Sequence, residues 1–347
     1  MIKNILLFLF GLVFLVQGSS YFVKSASRIA KKLGISEFII GLTLVAVGTS
    51  LPELVSSIFA SVKRESGLIL GTIMGANIAN ITLIIGISAI MAPLIIKKQI
   101  LKRDGYMLLF TTALLGIFLW DLKISFIEGL IFLLLFISYT FYLFAYKKKI
   151  KGAYGFKEFI PYFFKFKYIL TIKSEIMKNF EDKIPPAKKN KIKKTFKEGL
   201  VKDFLIILIS GCFIFFGAHY FVKEAIIFSE LLKVPEVIIG VFIAIGTTLP
   251  ELSVAVSASR KGYGNIAIGN AIGSCITNTL LILGVSALIH PLISLKLTLN
   301  YIFSSLFLVV IIFLIFMRSK WKIQKFEGIL LILLYLAFIF FTLGKIN

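Results

Sequence analysis

Apolar residues along this chain come in ten long runs, near residues 4–22, 37–61, 67–93, 104–120, 124–146, 201–222, 236–259, 265–290, 299–317 and 326–344. Short charged or turn-forming stretches separate them. Each run approaches the ~20 residues a helix needs to cross the hydrocarbon of a bilayer. The pattern predicts an all-α polytopic membrane protein with ten transmembrane helices. The first run resembles a secretory leader in position, but a second apolar run follows at once and a counterpart exists in the other half. It is therefore read as a membrane helix.

The polar positions inside these runs repeat. Gly18-Ser19-Ser20-Tyr21-Phe22-Val23-Lys24 answers to Gly217-Ala218-His219-Tyr220-Phe221-Val222-Lys223, and Ile39-Ile40-Gly41 answers to Ile238-Ile239-Gly240. Gly48-Thr49-Ser50-Leu51-Pro52-Glu53-Leu54 returns as Gly246-Thr247-Thr248-Leu249-Pro250-Glu251-Leu252. Gly71 to Asn80 returns as Gly269 to Asn278. The offset falls by one residue between Gly240 and Gly246, so the two approach helices are not fully equivalent. A unit used twice decides the architecture. Five spans is an odd number, so the second copy enters the membrane from the opposite side. The expected organisation is a five-helix repeat over 1–146, a linker over 147–200 and an inverted five-helix repeat over 201–347.

Composition agrees: 58% of residues are hydrophobic and the mean hydropathy is +0.96, outside the soluble globular range. The formal charge of +22 invites a nucleic-acid reading, which its distribution rejects. Most Lys and Arg lie in alternate loops, at Lys24 to Lys32, Lys97 to Arg103, the lysine run from Lys147 to Lys202, Arg260-Lys261 and Arg318 to Lys325. The positive-inside rule then places both termini outside and the central loop in the cytoplasm, with the cell membrane as location. Within that loop the aromatic stretch Phe156–Ile172 suits the bilayer surface. Cys212 and Cys275 lie in different apolar runs and read as small buried hydrophobes. His219 and His290, near span ends, read as interfacial structural residues.

Acidic residues in hydrocarbon are costly and mark function, so Glu53 and Glu251 carry the candidate chemistry. Pro52 and Pro250 deprive the carbonyls of Gly48 and Gly246 of helical partners. Paired interrupted helices in corresponding halves point to a transporter's substrate site. Thr49 and Thr247 stand four residues before the glutamates, hence on the same helical face. Ser50 and Thr248 add hydroxyls. Oxygen ligands of this kind suit Ca²⁺ or Na⁺ rather than zinc or copper. The stretches Gly71–Gly75 and Gly269–Gly273 read as close helix packing. Asn80 and Asn278 follow them at equal distances, and buried amides need partners, so both are counted as candidate ligands. The sequon Asn80-Ile81-Thr82 lies within a span and is discarded.

With these motifs the chain resembles the cation/calcium antiporter superfamily, in its prokaryotic sodium/calcium exchanger branch, over all ten spans. The resemblance implies two inverted five-helix repeats with four adjacent cation sites at the centre, and Na⁺-driven Ca²⁺ transport. It implies that Glu53, Glu251, Thr49 and Thr247 hold Ca²⁺. It further implies that sodium sites use the carbonyls of Ala46 and Ala244 and the hydroxyls of Ser50, Thr248 and Ser274. Two positions depart from the pattern: Ala76 replaces a serine, and Asn278 stands where an aspartate is often found. The site thus has two carboxylates, and H⁺ or K⁺ participation stays open beside Na⁺. A proton-coupled exchanger and a passive cation channel are the alternative readings, although two site-forming motifs suit alternating access better than an open filter. No phosphate-binding loop or nucleophile–base pair suggests an enzyme, and no resident cofactor or nucleic-acid partner is expected. The partners are the bilayer and the transported ions, with the oligomeric state left open.

Overall fold

The computed structural model describes residues 2–32, 46–149, 155–171, 189–319 and 321–344. The first part of the run at 37–61, including Ile39-Ile40-Gly41, and much of the linker lie outside these residues.

The described chain is mostly helical. A long α1 (Ile2–Lys32) is followed by a short α2 (Ala46–Thr49), α3 (Leu51–Val62) and α4 (Ser66–Met91). Strand β1 (Leu94–Ile95) precedes a wide helical turn, Leu101–Gly105, that leads into α5 (Tyr106–Phe118). Then come β2 (Lys123–Ile124), α6 (Phe126–Lys149) and the linker helix α7 (Phe156–Phe164). The order recurs as α8 (Lys189–Leu232), α9 (Glu236–Thr247), α10 (Leu249–Arg260) and α11 (Gly264–Ile289). It closes with β3 (Leu292–Ile293), α12 (Thr298–Arg318), β4 (Lys322–Ile323) and α13 (Lys325–Leu343).

Among the described residues seven helices are long and apolar enough to cross a membrane, and eight when the bent pair α9–α10 counts as one span. Two of the ten expected runs do not reach that length. The run at 37–61 is described only from Ala46 onward, and the run at 104–120 forms a 13-residue α-helix after its wide turn. Elsewhere helices overrun the apolar stretch: α1 has 31 residues and α8 has 44.

Helices α4 and α11 sit at the centre, with 94% and 72% of their apolar windows buried, against 22–33% for the other long helices. A helix apolar all round and rich in small residues is suited to that place. Gly71 shows why the small residues matter. A Cβ there would lie 2.0 Å from the Val237 carbonyl oxygen, so α4 and α9 cross backbone to backbone. Gly240 is the reciprocal contact, 2.6 Å from the Leu68 oxygen.

Two minimal antiparallel sheets tie early elements to late ones, β1 with β4 and β2 with β3. Two serines do the same between helices. Ser61 Oγ on α3 donates to the Ser286 carbonyl of α11 at 2.7 Å, and Ser259 Oγ on α10 donates to the Ser88 carbonyl of α4 at 2.6 Å. The aromatic linker stretch is docked on protein along one face. Phe159 and Tyr162 of α7 are buried, Tyr142 stacks edge-on against Phe159 at 5.5 Å, and Tyr142 Oη donates to the Gly155 carbonyl at 2.7 Å. Phe164, Phe166 and Leu170 stay exposed. Of the two cysteines, Cys275 is buried as expected and Cys212 is exposed.

Candidate cation site

Each proline motif interrupts a helix, slightly later than the freed carbonyl predicts. The first break is a turn at Ser50 between α2 and α3, with Pro52 in the first turn of α3. A missing N–H costs nothing there. The chain resumes helical bonding with Leu54 N–H on the Ser50 carbonyl at 3.0 Å. The second break is at Thr248, where α9 and α10 meet at a 42° bend.

These turns change how the hydroxyls are shared. The spacing of four puts Thr49 beside Glu53 only in an unbroken helix. With the helix broken, the pairing crosses the halves: Thr247 lies against the Glu53 carboxyl, and Thr49 and Ser50 lie against that of Glu251. The two carboxyls are close enough to act on each other. Each is only 1% exposed. Ser274 Oγ donates to Glu251 Oε1 at 3.4 Å.

Around this pair are buried oxygens that meet no partner in full hydrogen-bond geometry. They are both carboxylate oxygens of Glu53, Glu251 Oε2, Ser50 Oγ, Asn80 Oδ1 and Asn278 Oδ1. Buried polar atoms without partners are rare in folded proteins, and an ion is one of the few things that satisfies them. Cys275 links the amide and carboxyl parts, since its thiol touches Asn80 and lies near Glu251. Among the described residues no three His, Cys, Asp or Glu side chains converge. The donor set is two carboxylates with amide and hydroxyl oxygens, which fits hard cations and not a zinc site.

Of the remaining candidates, Thr247 and Thr248 are buried, and both hydroxyls turn onto the Ala244 carbonyl, at 3.3 and 2.9 Å. That carbonyl also accepts the Thr248 N–H at 3.1 Å, so three donors share this oxygen. Ala46 opens α2. Ala76 is fully buried and brings no oxygen.

Two residues at the site escaped the sequence reading. Asn278 Nδ2 donates to Asn77 Oδ1 at 3.0 Å, and Asn77 Nδ2 donates to Thr279 Oγ1 at 3.1 Å. Asn77 precedes Asn80 by one helical turn and shares its face, which was the available signal. The packing reading stopped at Gly75 and left Asn77 without a role.

Comparison with known proteins gives a consistent result. The profile described as sodium/calcium exchanger protein matches residues 3–145 and, separately, 202–344. The chain is 47% identical over 340 residues to sodium/calcium exchanger MaX1 of Methanosarcina acetivorans, covering 97% of each. It is 31% identical over 335 residues to an uncharacterized membrane protein of Methanocaldococcus jannaschii, covering 95% of this chain and 94% of that one. A solved structure of the sodium-calcium exchanger NCX_Mj, soaked with Na⁺ and Sr²⁺, superposes with a TM-score of 0.59 at 28% identity over 97% of both chains. MaX1 and NCX_Mj are both named as exchangers, that is, as transporters and not enzymes. The chain is a membrane protein that belongs to the sodium/calcium exchanger protein family.

Proposed function

We propose that this protein is a secondary antiporter that exchanges Ca²⁺ for Na⁺ across the cell membrane by alternating access, normally exporting Ca²⁺. The observation that carries the reading is the set of partnerless oxygens around Glu53 and Glu251, held by two broken helices. Two buried carboxylates are strongly unfavourable without a counter-charge. One divalent cation, or monovalent cations in its place, supplies it. Occupancy is thus tied to exchange, because the empty, doubly charged site resists being closed off from water as the protein switches between its two open states.

The architecture we infer is ten spans in two inverted five-helix repeats, 1–146 and 201–347, joined by the basic linker 147–200. The duplicated profile match and the recurring element order support it. The inversion supplies an outward-open and an inward-open state from one fold. The loop charges support both termini outside and the linker in the cytoplasm.

A second reading keeps Ca²⁺ and couples it to H⁺. Ala76 and Asn278 favour it, since Ala76 lacks the hydroxyl the resemblance expects at one sodium site and Asn278 stands where an aspartate is often found. Uptake of ⁴⁵Ca²⁺ into proteoliposomes separates the two. Uptake driven by an outward Na⁺ gradient is the expected result. Uptake driven only by a pH gradient at zero Na⁺ would transfer the protein to the proton-coupled reading.

A further inference from the structure

The two halves present their site amides differently. Asn278 is held: its Nδ2 donates to Asn77 Oδ1, and Asn77 is held in turn by donating to Thr279 Oγ1. All three side chains are at most 1% exposed. With its amide nitrogen engaged across the interface between α4 and α11, Asn278 is left with Oδ1 as the free atom, and that oxygen is one of the partnerless set. The residue matching Asn77 in the other half is Cys275. A thiol is a weak donor and acceptor, and this one donates to the Asn77 carbonyl at 3.6 Å. Asn80 therefore has only this weak thiol beside it, and neither its Nδ2 nor its Oδ1 meets a partner in full hydrogen-bond geometry.

We propose that Asn77 is a positioning residue for the cation site, fixing the Asn278 amide, with Thr279 behind it, so that its carbonyl oxygen and not its N–H groups meets the ion. The inference rests on the exchange reading above and names the group that orients one of its ligands. An amide free to flip offers a cation its oxygen for only part of the time, and a flipped Asn278 would set its Oδ1 against Asn77 Oδ1. Fixing the amide removes that repulsive arrangement before the ion arrives, the general benefit of preorganised ligands. The asymmetry assigns different tasks to the two amides. Asn278 offers a fixed oxygen, and Asn80 is free to adjust as cations of different size and charge replace one another.

The test is a double-mutant cycle read as Ca²⁺ affinity. Equilibrium ⁴⁵Ca²⁺ binding to the full-length purified protein, at zero Na⁺ and up to millimolar Ca²⁺, gives the dissociation constant. Asn77→Ala is expected to weaken binding about tenfold, and Thr279→Val about threefold, while Thr279→Ser stays within twofold of the parent. In an Asn278→Ala background, Asn77→Ala and Thr279→Val are each expected to change affinity by less than twofold. An equal loss in both backgrounds would mean that Asn77 merely supports packing, and would overturn the assignment. Unchanged affinity in Asn77→Ala would overturn it too. Should Asn77→Ala not purify as a folded protein, the near-isosteric Thr279→Val completes the cycle in its place, with the same two outcomes. An unaltered protein that binds no Ca²⁺ would overturn the exchange reading itself, a result distinct from additivity in a protein that binds.

Discussion

Glu53 and Glu251 each keep at least one oxygen without a partner in a nearly water-free setting, and such a charge destabilises the fold until something opposes it. Glu53→Gln or Glu251→Gln should therefore separate function from stability. We expect ⁴⁵Ca²⁺ uptake to fall to background in either variant, while the thermal unfolding temperature holds or rises. Robust Ca²⁺ flux in either would sink the site assignment. Ala76→Ser returns a hydroxyl to a fully buried position beside the site. If it meets a sodium ion, the half-saturating Na⁺ concentration should drop about fivefold, the equivalent of ~1 kcal/mol for one added polar contact. The glutamates were legible because a charge inside an apolar run is too costly to persist without a role. The hydroxyls were legible as donors but not as partners. Their crossing between halves depends on turns at Ser50 and Thr248 that the spacing rule does not contain.

For the helices, the closest approach sets the strictest demand. A methyl group at Gly71 would sit 2.0 Å from the Val237 oxygen, so Gly71→Ala has to push α9 away from α4. The cost should reach or exceed the 1–3 kcal/mol of ordinary overpacking. It should appear as a fall of several degrees in unfolding temperature, with transport lost because α9 carries Thr247. The serine bonds between helices are milder. Ser61→Ala and Ser259→Ala each remove one hydrogen bond to a carbonyl of the facing helix, for about 1 kcal/mol apiece. Lying at separate contacts, they should be additive in the double variant. A loss in the double variant that departs from the sum of the single losses would show that the two contacts are not independent. Apolar runs announced these helices, yet they could not announce which lie inside. The central α4 and α11 are no more apolar than the peripheral long helices, because lipid accepts hydrocarbon as readily as a protein core does. Small residues, not hydropathy, distinguish the buried pair.

Across the whole molecule, the charge asymmetry makes a claim about sidedness that labelling can check. In a Cys212→Ala background, with Cys275 fully buried, a membrane-impermeant maleimide added to intact cells should modify Lys63→Cys and spare Arg260→Cys. Both positions are exposed. The reverse pattern would invert the proposed orientation. One feature of the central helices was invisible in composition: each contains a five-residue wide turn, Asn80–Ile84 in α4 and Asn278–Ile282 in α11. Such turns carry i to i+5 bonding and recur at functional sites. Here each begins at the site asparagine. It ends shortly before the serine, Ser88 or Ser286, whose carbonyl receives the facing helix. The wide turn therefore works as a phase shifter. It lets the part of the helix that meets the ions and the part that fastens the halves be rotated independently. Winding the same residues at the ordinary pitch, with none removed, would swing one part against the other by about 100°, leaving a helix able to face the ions or hold its neighbour, but not both.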